Sequence, residues 1–133
     1  MEGVTRNMKE LSEEIYQQEH RYYLAKKASI FGIWDWNSTN DDLYWDEAMF
    51  DLFEPKEWTG KVDSFFNCLN PDDRATAAAK LAAAQYTGLY DYRYRVITKD
   101  SEERYVRGRG GYVEWDKDGK PTRMLGVCFL AQE

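Results

Sequence analysis

The sequence has little cysteine, one histidine and no long apolar run, and each scarcity excludes a class of protein. Cys68 and Cys128 are too few for a disulfide framework, and their spacing matches no zinc-ligand pattern. No apolar run approaches the roughly 20 residues that cross a bilayer. The polar N-terminus also lacks the apolar segment of a secretory signal. We therefore expect buried thiols, no membrane insertion and a cytoplasmic location.

Basic residues are also fewer than acidic residues. The chain has 18 Lys and Arg against 24 Asp and Glu, a net charge of −6, which opposes binding to a phosphate backbone and predicts no nucleic-acid partner. Aromatic residues are abundant instead, at 16% of the 133 residues, and such side chains fill cores and line pockets. The length suits a single domain.

The N-terminal segment has the pattern of a helix with one apolar seam, whose positions alternate steps of four and three residues. The seam consists of Val4, Met8, Leu11, Ile15, Gln18, Tyr22 and Ala25. Such a helix either packs back on the domain or pairs with a second copy as a short coiled coil. We expect a homodimer, with Met8, Leu11, Ile15 and Tyr22 as its dimerisation residues, because the seam is narrow and precedes the globular part. Gln18 would cost stability while fixing the register.

Turn and capping residues divide the next part of the chain. Residues 31–37 and 43–45 are rich in strand formers and flank a turn cluster, which predicts a β-hairpin. Asp46 is placed to cap a short helix that ends before Pro55. Short helices are expected between this point and the next strong start signal.

That start signal is Asn70-Pro71, followed by two carboxylates at the positive end of the helix dipole. The alanine-rich helix it opens is predicted to run to Gly88. Three strands follow, at residues 89–98, 104–115 and 122–130, the last two joined by a turn at Asp118-Gly119. The fold class is therefore α+β, with five antiparallel strands, short helices on one face and an N-terminal amphipathic helix.

Several motifs in this order resemble a PAS domain with its C-terminal PAC motif, over residues 31–133. They are Gly32-Ile33-Trp34-Asp35-Trp36-Asn37, Tyr44-Trp45, Asn70-Pro71-Asp72-Asp73-Arg74, Tyr94-Arg95, Arg104-Tyr105-Val106, Asp118-Gly119 and Leu125-Gly126-Val127. The chain departs from the family at Asn70, where histidine is usual, and at residues 130–132, where Asp-Ile-Thr is common.

The resemblance implies a non-catalytic sensory module. It would sense a small ligand or relay a signal through dimerisation to an adjacent output domain outside this chain, of the histidine-kinase (two-component) or cyclic-dinucleotide enzyme type. The implied division is a dimerisation helix at residues 1–29 and a PAS domain at residues 30–133. Many members of the family carry an N-terminal helix of this kind.

Six residues are candidates for lining a ligand pocket: Trp34, Phe50, Phe53, Tyr94, Val106 and Gly126. The same side chains could instead fill a core at native density, which is the interpretation we favour. Glycines beside aromatic residues on the fourth strand are a possible source of cavity space. The cofactor is left unknown, because His20 lies on the charged helix outside the predicted core and Cys68 lacks the residues that follow the cysteine of light-sensing flavin domains.

Two other functions compete with the sensory one. A single-stranded nucleic-acid-binding sheet would use an exposed face that carries Arg93, Arg95, Tyr105, Arg107 and Arg109. A small enzyme acting on a ligand in the sheet pocket would need a nucleophile, a metal set or a paired acid and base. The sequence singles out no such constellation, so we predict no catalytic and no metal-binding residues.

Overall fold

The computed structural model describes residues 7–28 and 30–132, and contacts divide the chain into two units, Met1–Ile30 and Phe31–Glu133. The first unit contains helix α1, Met8–Ala28. Its first turn is capped by the side chain of Asn7, which accepts a hydrogen bond from the Glu10 amide at 2.9 Å. The predicted seam residue Val4 lies outside the described residues.

The second unit is a five-stranded antiparallel sheet with three helices on one face, which confirms the predicted fold class. Its elements are β1 (Gly32–Asn37), β2 (Asp42–Trp45), α2 (Glu47–Phe53), α3 (Val62–Cys68), α4 (Pro71–Thr87), β3 (Leu89–Ile97), β4 (Glu103–Trp115) and β5 (Pro121–Leu130). The strands lie in the order β2-β1-β5-β4-β3. Buried side chains of α2, α3 and α4 join those of the sheet in one core.

Side-chain caps position the helices over the sheet, as the sequence predicts for two of them. Asp46 Oδ1 accepts hydrogen bonds from the amides of Met49 at 3.0 Å and Ile33 at 3.1 Å, so one carboxylate starts α2 and ties it to β1. Asn70 accepts from the Asp72 amide at 3.0 Å and starts α4. Gly88 ends α4 with φ +79°, a conformation that favours glycine.

The start of helix α3 is held by a residue that is distant from it in the sequence. Lys61 precedes it and supplies no side-chain cap. Asp41, in the turn between β1 and β2, accepts hydrogen bonds from the Val62 amide at 3.1 Å and from the Trp36 indole N–H at 2.8 Å. The hairpin turn therefore holds both the start of α3 and an aromatic side chain of β1.

The inner face of the sheet is built from aromatic rings lying over glycines. Trp34 of β1 pairs with Gly126 of β5, which pairs with Gly110 of β4. A Cβ atom on Gly110 would come within 2.7 Å of the Trp34 ring and closer still to the Leu125 carbonyl oxygen, and one on Gly126 would overlap the same ring and the Arg109 carbonyl oxygen. Real Cβ contacts are not that short, so the Trp34 ring and the carbonyl oxygen of the neighbouring strand both require glycine at these two positions.

Candidate functional site

A small cavity of about 40 Å³ lies between the inner face of the sheet and helices α2, α3 and α4. Its walls are mostly apolar, as is typical of ligand sites. They are formed by Trp34, Trp36, Leu43, Trp45, Met49, Val62, Phe65, Leu81, Tyr90, Tyr94, Met124 and Cys128. Every strand except β4, together with all three helices, contributes at least one of these residues.

Two of the six predicted lining residues border this cavity, Trp34 and Tyr94. Phe53 is fully buried behind the wall, with its ring centroid 6.2 Å from that of Tyr94. Phe50 packs behind the wall residue Trp45, with ring centroids 5.5 Å apart, and lies 4.8 Å from Trp58. The structure thus brings Trp34 and Tyr94 to the cavity, and Phe50 and Phe53 directly behind its wall.

The other two predicted residues, Val106 and Gly126, lie in the sheet and do not border the cavity. Val106 is fully buried opposite Tyr94 in the β3–β4 ladder. Gly126 lies beneath the Trp34 ring. Glycine therefore accommodates rings here: a Cβ atom on Gly108 would likewise lie 2.9 Å from the Tyr94 hydroxyl. The space left by the missing side chains is filled by Trp34 and Tyr94.

Three polar atoms belong to the cavity-lining residues of β3 and β5. The Tyr94 hydroxyl lies 3.3 Å from Cys128 Sγ, a hydrogen-bonding distance for sulfur. The Tyr90 hydroxyl is buried, and no described residue gives it a hydrogen-bond partner. A buried hydroxyl without a partner costs about 1–3 kcal/mol. A guest atom that reached this hydroxyl with a hydrogen bond would remove that cost.

Burial also sets the protonation of the thiols. It raises the pKa of Cys128 to about 12, with hydrogen bonds from Tyr94 and Trp34 partly offsetting the effect. Burial raises the pKa of Cys68 to about 11. Both thiols are therefore protonated at neutral pH, and a protonated thiol is a poor nucleophile and a poor metal ligand. The cavity wall is suited to binding rather than to nucleophilic chemistry.

The size of the cavity restricts what it can hold. A single water needs about 10–15 Å³ of such space, whereas pockets for drug-sized ligands occupy about 300–1,000 Å³. A volume of about 40 Å³ accommodates a guest no larger than a few water molecules. A larger ligand would require the rings around Tyr90 and Trp34 to move.

The outer face of the sheet carries the arginines of the nucleic-acid alternative, and they contact groups of the chain itself. Arg107 makes two hydrogen bonds to Asp91, at 2.8 and 2.9 Å, and Arg109 lies 3.5 Å from the same carboxylate. The Arg93 guanidinium lies 5.5 Å from the centre of the Tyr105 ring. A nucleic acid would have to compete with these contacts for each side chain.

Arg95 is held in the same manner at the edge of the sheet. It makes two side-chain hydrogen bonds to Asp73, at 3.0 and 2.8 Å, while its amide donates to the same carboxylate at 2.8 Å. These bonds join β3 to the first turn of α4. The hydrogen bond from Arg95 is the main cause that holds the pKa of Asp73 below its usual range.

His20, which was considered as a cofactor ligand, belongs to the first unit. His20 is on α1, stacked on Tyr16 with ring centroids 5.5 Å apart. Among the described residues, no group of three or more His, Cys, Asp and Glu is arranged to hold a metal ion. Within residues 7–28 and 30–132, no helix has both the length and the hydropathy of a membrane span.

Sequence reasoning missed several wall residues that come from separate elements, among them Met49 on α2, Phe65 on α3 and Leu81 on α4. Leu81 is one apolar residue in an alanine-rich helix, and its four-residue spacing from the buried Ala77 was the available signal. Trp36 and Trp45 belonged to the recognised motifs but were not assigned to the pocket.

Comparison with protein families gives a match to the family described as PAS fold, over residues 42–128. The Escherichia coli (strain K12) protein named "Probable diguanylate cyclase DgcE" is 29% identical over 119 residues, which are 87% of this chain and 11% of that protein. The chain thus spans about a tenth of the length of this relative.

Solved structures are also similar to this chain. A sensory box histidine kinase/response regulator from Burkholderia thailandensis E264 is 29% identical, with a TM-score of 0.69, over 84% of each chain. The N-terminal domain of a diguanylate cyclase with PAS/PAC sensor from Marinobacter aquaeolei has a TM-score of 0.65 at 17% identity, over 75% of this chain and 94% of that one. At that identity the second likeness concerns the fold alone.

Proposed function

This chain belongs to the PAS fold family, and from that premise we propose that it is a sensory relay module acting through dimerisation on an output domain outside the chain. The observation that carries the proposal is the proportion of the match, 87% of this chain against 11% of the E. coli relative. A sequence that corresponds to one small part of a much longer protein fits a module that controls another domain. A kinase or a cyclase is the proposed output, because both occur among the similar proteins.

In this proposal the chain has no catalytic role of its own. PAS sensor domains are typically non-catalytic, and the protonated thiol of Cys128 in the cavity wall agrees with that role. We assign dimerisation to residues 1–29 and signal input to residues 30–133. The location is proposed to be cytoplasmic, because kinase and cyclase domains consume nucleoside triphosphates, which that compartment supplies.

Dimerisation through α1 is supported by the exposure of its seam. Met8, Ile15 and Tyr22 are 79%, 55% and 53% exposed in the single chain, and Leu11 is 40% exposed. Apolar side chains in a row on one helix face lose this exposure when two seams pack together, at a gain of about 25 cal/mol per Å² of apolar area. A second copy of the helix is therefore the proposed partner.

The proposed input is either a guest the size of a few water molecules beside Tyr90 or no ligand at all. The small cavity supports this choice over a bulky metabolite. Native mass spectrometry and an absorbance spectrum of freshly purified protein address it directly. A retained organic molecule or a chromophore of larger size would contradict this part of the proposal.

The relay role can be tested by exchanging domains. We would replace the matching segment of the E. coli relative by this chain and measure diguanylate cyclase activity of the purified chimera. The chimera is expected to keep an activity that depends on this segment, so an additional Phe53→Ala substitution in the core should change that activity. Phe50→Ala, on the same helix but less buried, serves as the matched control.

The result that contradicts the proposal is equally specific. If the relative has the same cyclase activity with this chain inserted, with the Phe53→Ala chain inserted and with the segment deleted, then the segment relays nothing to the output domain.

A further inference from the structure

The residues that flank the seam of α1 follow a charge pattern that changes sign along the helix. The a positions of the heptad are Met8, Ile15 and Tyr22, and the d positions are Leu11, Gln18 and Ala25. With this heptad assignment, Glu14 and Arg21 occupy successive g positions, and Glu19 and Lys26 occupy successive e positions. Side chains at e and g face the partner helix and set its identity and orientation.

A parallel pair of identical helices would place like charges together. In a parallel coiled coil, a g residue faces the e residue of the following heptad on the other helix. Glu14 would then face Glu19 of the second copy, and Arg21 would face Lys26 of the second copy. Two-fold symmetry repeats both contacts, so every charged g–e contact in this helix would be repulsive.

An antiparallel pair removes this conflict, because g then faces g and e faces e. When Ile15 lies opposite Gln18 of the second copy, Glu14 faces Arg21 of the second copy, and symmetry supplies the same attraction a second time. The register also places Leu11 opposite Tyr22 and Met8 opposite Ala25. Every seam residue that the structure describes therefore lies in a layer that pairs an a position of one helix with a d position of the other.

The wider distribution of charge agrees with this orientation. Between residues 8 and 19 the helix has four glutamates and one lysine, whereas between residues 20 and 28 it has one arginine, two lysines and no acidic residue. Antiparallel pairing lays the acidic half of each helix on the basic half of the other. Complementary charge of this kind selects a partner and excludes the wrong arrangement.

We propose that α1 docks on α1 of a second copy in antiparallel orientation, with Leu11 in the same layer as Tyr22. This inference rests on the proposed dimerisation and adds its geometry. The partner surface is the same seam, so the interface is self-complementary, as a two-fold dimer requires. In this register Gln18 lies opposite Ile15.

Disulfide trapping of the full chain distinguishes the two orientations. Leu11→Cys alone, Tyr22→Cys alone and an equimolar mixture of the two are oxidised and analysed on a non-reducing gel. The parent protein is the control, because its own Cys68 and Cys128 are buried. The antiparallel pair is expected to give a covalent dimer only in the mixture. Covalent dimers in each single variant would establish parallel pairing and overturn the proposal.

Charge reversal provides a second test that leaves the seam intact. Glu14→Arg should weaken the antiparallel dimer, because it puts arginine against Arg21 of the second copy. The dissociation constant is expected to rise roughly tenfold. In a parallel dimer the same change would pair the introduced arginine with Glu19 of the second copy, and the dissociation constant would fall.

The matched control is Glu13→Arg, which changes the net charge equally at an f position that faces away from the partner. Sedimentation equilibrium at low ionic strength compares both variants with the parent chain. A tighter dimer in Glu14→Arg, or equal dissociation constants in the two variants, would overturn the antiparallel proposal. A parent chain that is monomeric throughout would instead contradict the proposed dimerisation itself.

Discussion

Helix α1 and the unit formed by residues 31–133 contain similar apolar side chains in opposite environments. In α1, Met8 is 79% exposed and Ile15 55%, whereas Met49 and Phe53 in the second unit are 1% and 0% exposed. Burying one such side chain contributes about 1.5–3 kcal/mol. The apolar residues of the second unit therefore stabilise its fold, while those of α1 remain available to stabilise association.

The largest expected effect is a core substitution in the second unit. Phe53→Ala removes a fully buried ring that contacts Trp45, with centroids 4.7 Å apart, and also Tyr94. The free energy of unfolding should fall by about 3–5 kcal/mol. Urea denaturation measures it, with Phe50→Ala on the same helix as a control that should lose less. Equal losses would mean that burial does not separate the two positions.

A smaller but still large effect is expected from adding one methyl group to the sheet. Gly126→Ala places a Cβ atom on the Trp34 ring and should lower the free energy of unfolding by roughly 3 kcal/mol. Trp34→Phe combined with Gly126→Ala should recover only the part of that loss that is due to the ring, because the Arg109 carbonyl oxygen still meets the methyl group. Additive losses in the double variant would argue against the ring as the cause.

The ion pair between α4 and β3 should matter less than the core. Asp73→Asn removes the charge that receives two side-chain hydrogen bonds from Arg95, and we expect a loss of roughly 2 kcal/mol by urea denaturation. Asp72→Asn, one residue earlier in the same helical turn and exposed, is the matched control and should cost less. A similar cost for both variants would mean that the pair with Arg95 adds nothing beyond the helix dipole.

The same pair makes stability depend on pH in a defined direction. The pKa of Asp73 is lower in the folded chain than in the unfolded one, chiefly because of the hydrogen bond from Arg95. Such a group contributes stability above its unfolded pKa of about 3.9 and loses it as the pH falls through the folded value. The difference between the parent protein and Asp73→Asn should therefore shrink when denaturation at neutral pH is repeated near pH 3. A difference that grows on acidification would contradict this account.

The smallest expected effect on folding comes from α1. Replacing Leu11 and Ile15 together by glutamate should leave the melting temperature of the second unit within a few degrees of the parent value, because both side chains are exposed. The same change should dissociate the proposed dimer, since it puts charges into the seam. Native mass spectrometry measures the number of subunits in the particle. A dimer of unchanged stability would show that the seam is not the interface.

Sequence reasoning located the elements whose signals are local. Asp46 and Asn70 cap the helices predicted for them, and Gly88 ends α4 at the predicted position. Helix α3 was expected only as one of several unplaced short helices, because its first amide is held by Asp41, 21 residues earlier in the chain. The contact of β1 with β5 is likewise non-local and brings Trp34 to Gly126.

The candidate site was predictable only in part for the same reason. Alternation along β3 directs Tyr90 and Tyr94 inward, and the structure confirms that both are buried. The pattern of glycines on β4 and β5, by contrast, is compatible with an open cavity and with a ring filling the space. Only the register that carries Trp34 across Gly126 and Gly110 decides between them.

That arrangement also limits how the sequence can change over generations. A side chain larger than hydrogen at Gly126 or Gly110 meets the indole of Trp34 and a carbonyl oxygen of the neighbouring strand, while a smaller side chain at position 34 leaves the two glycines without a covering ring. None of the three positions can change first without a loss of stability. The tryptophan and the two glycines should therefore be inherited together, since a smaller ring at position 34 removes only one of the two contacts that exclude a side chain at either glycine.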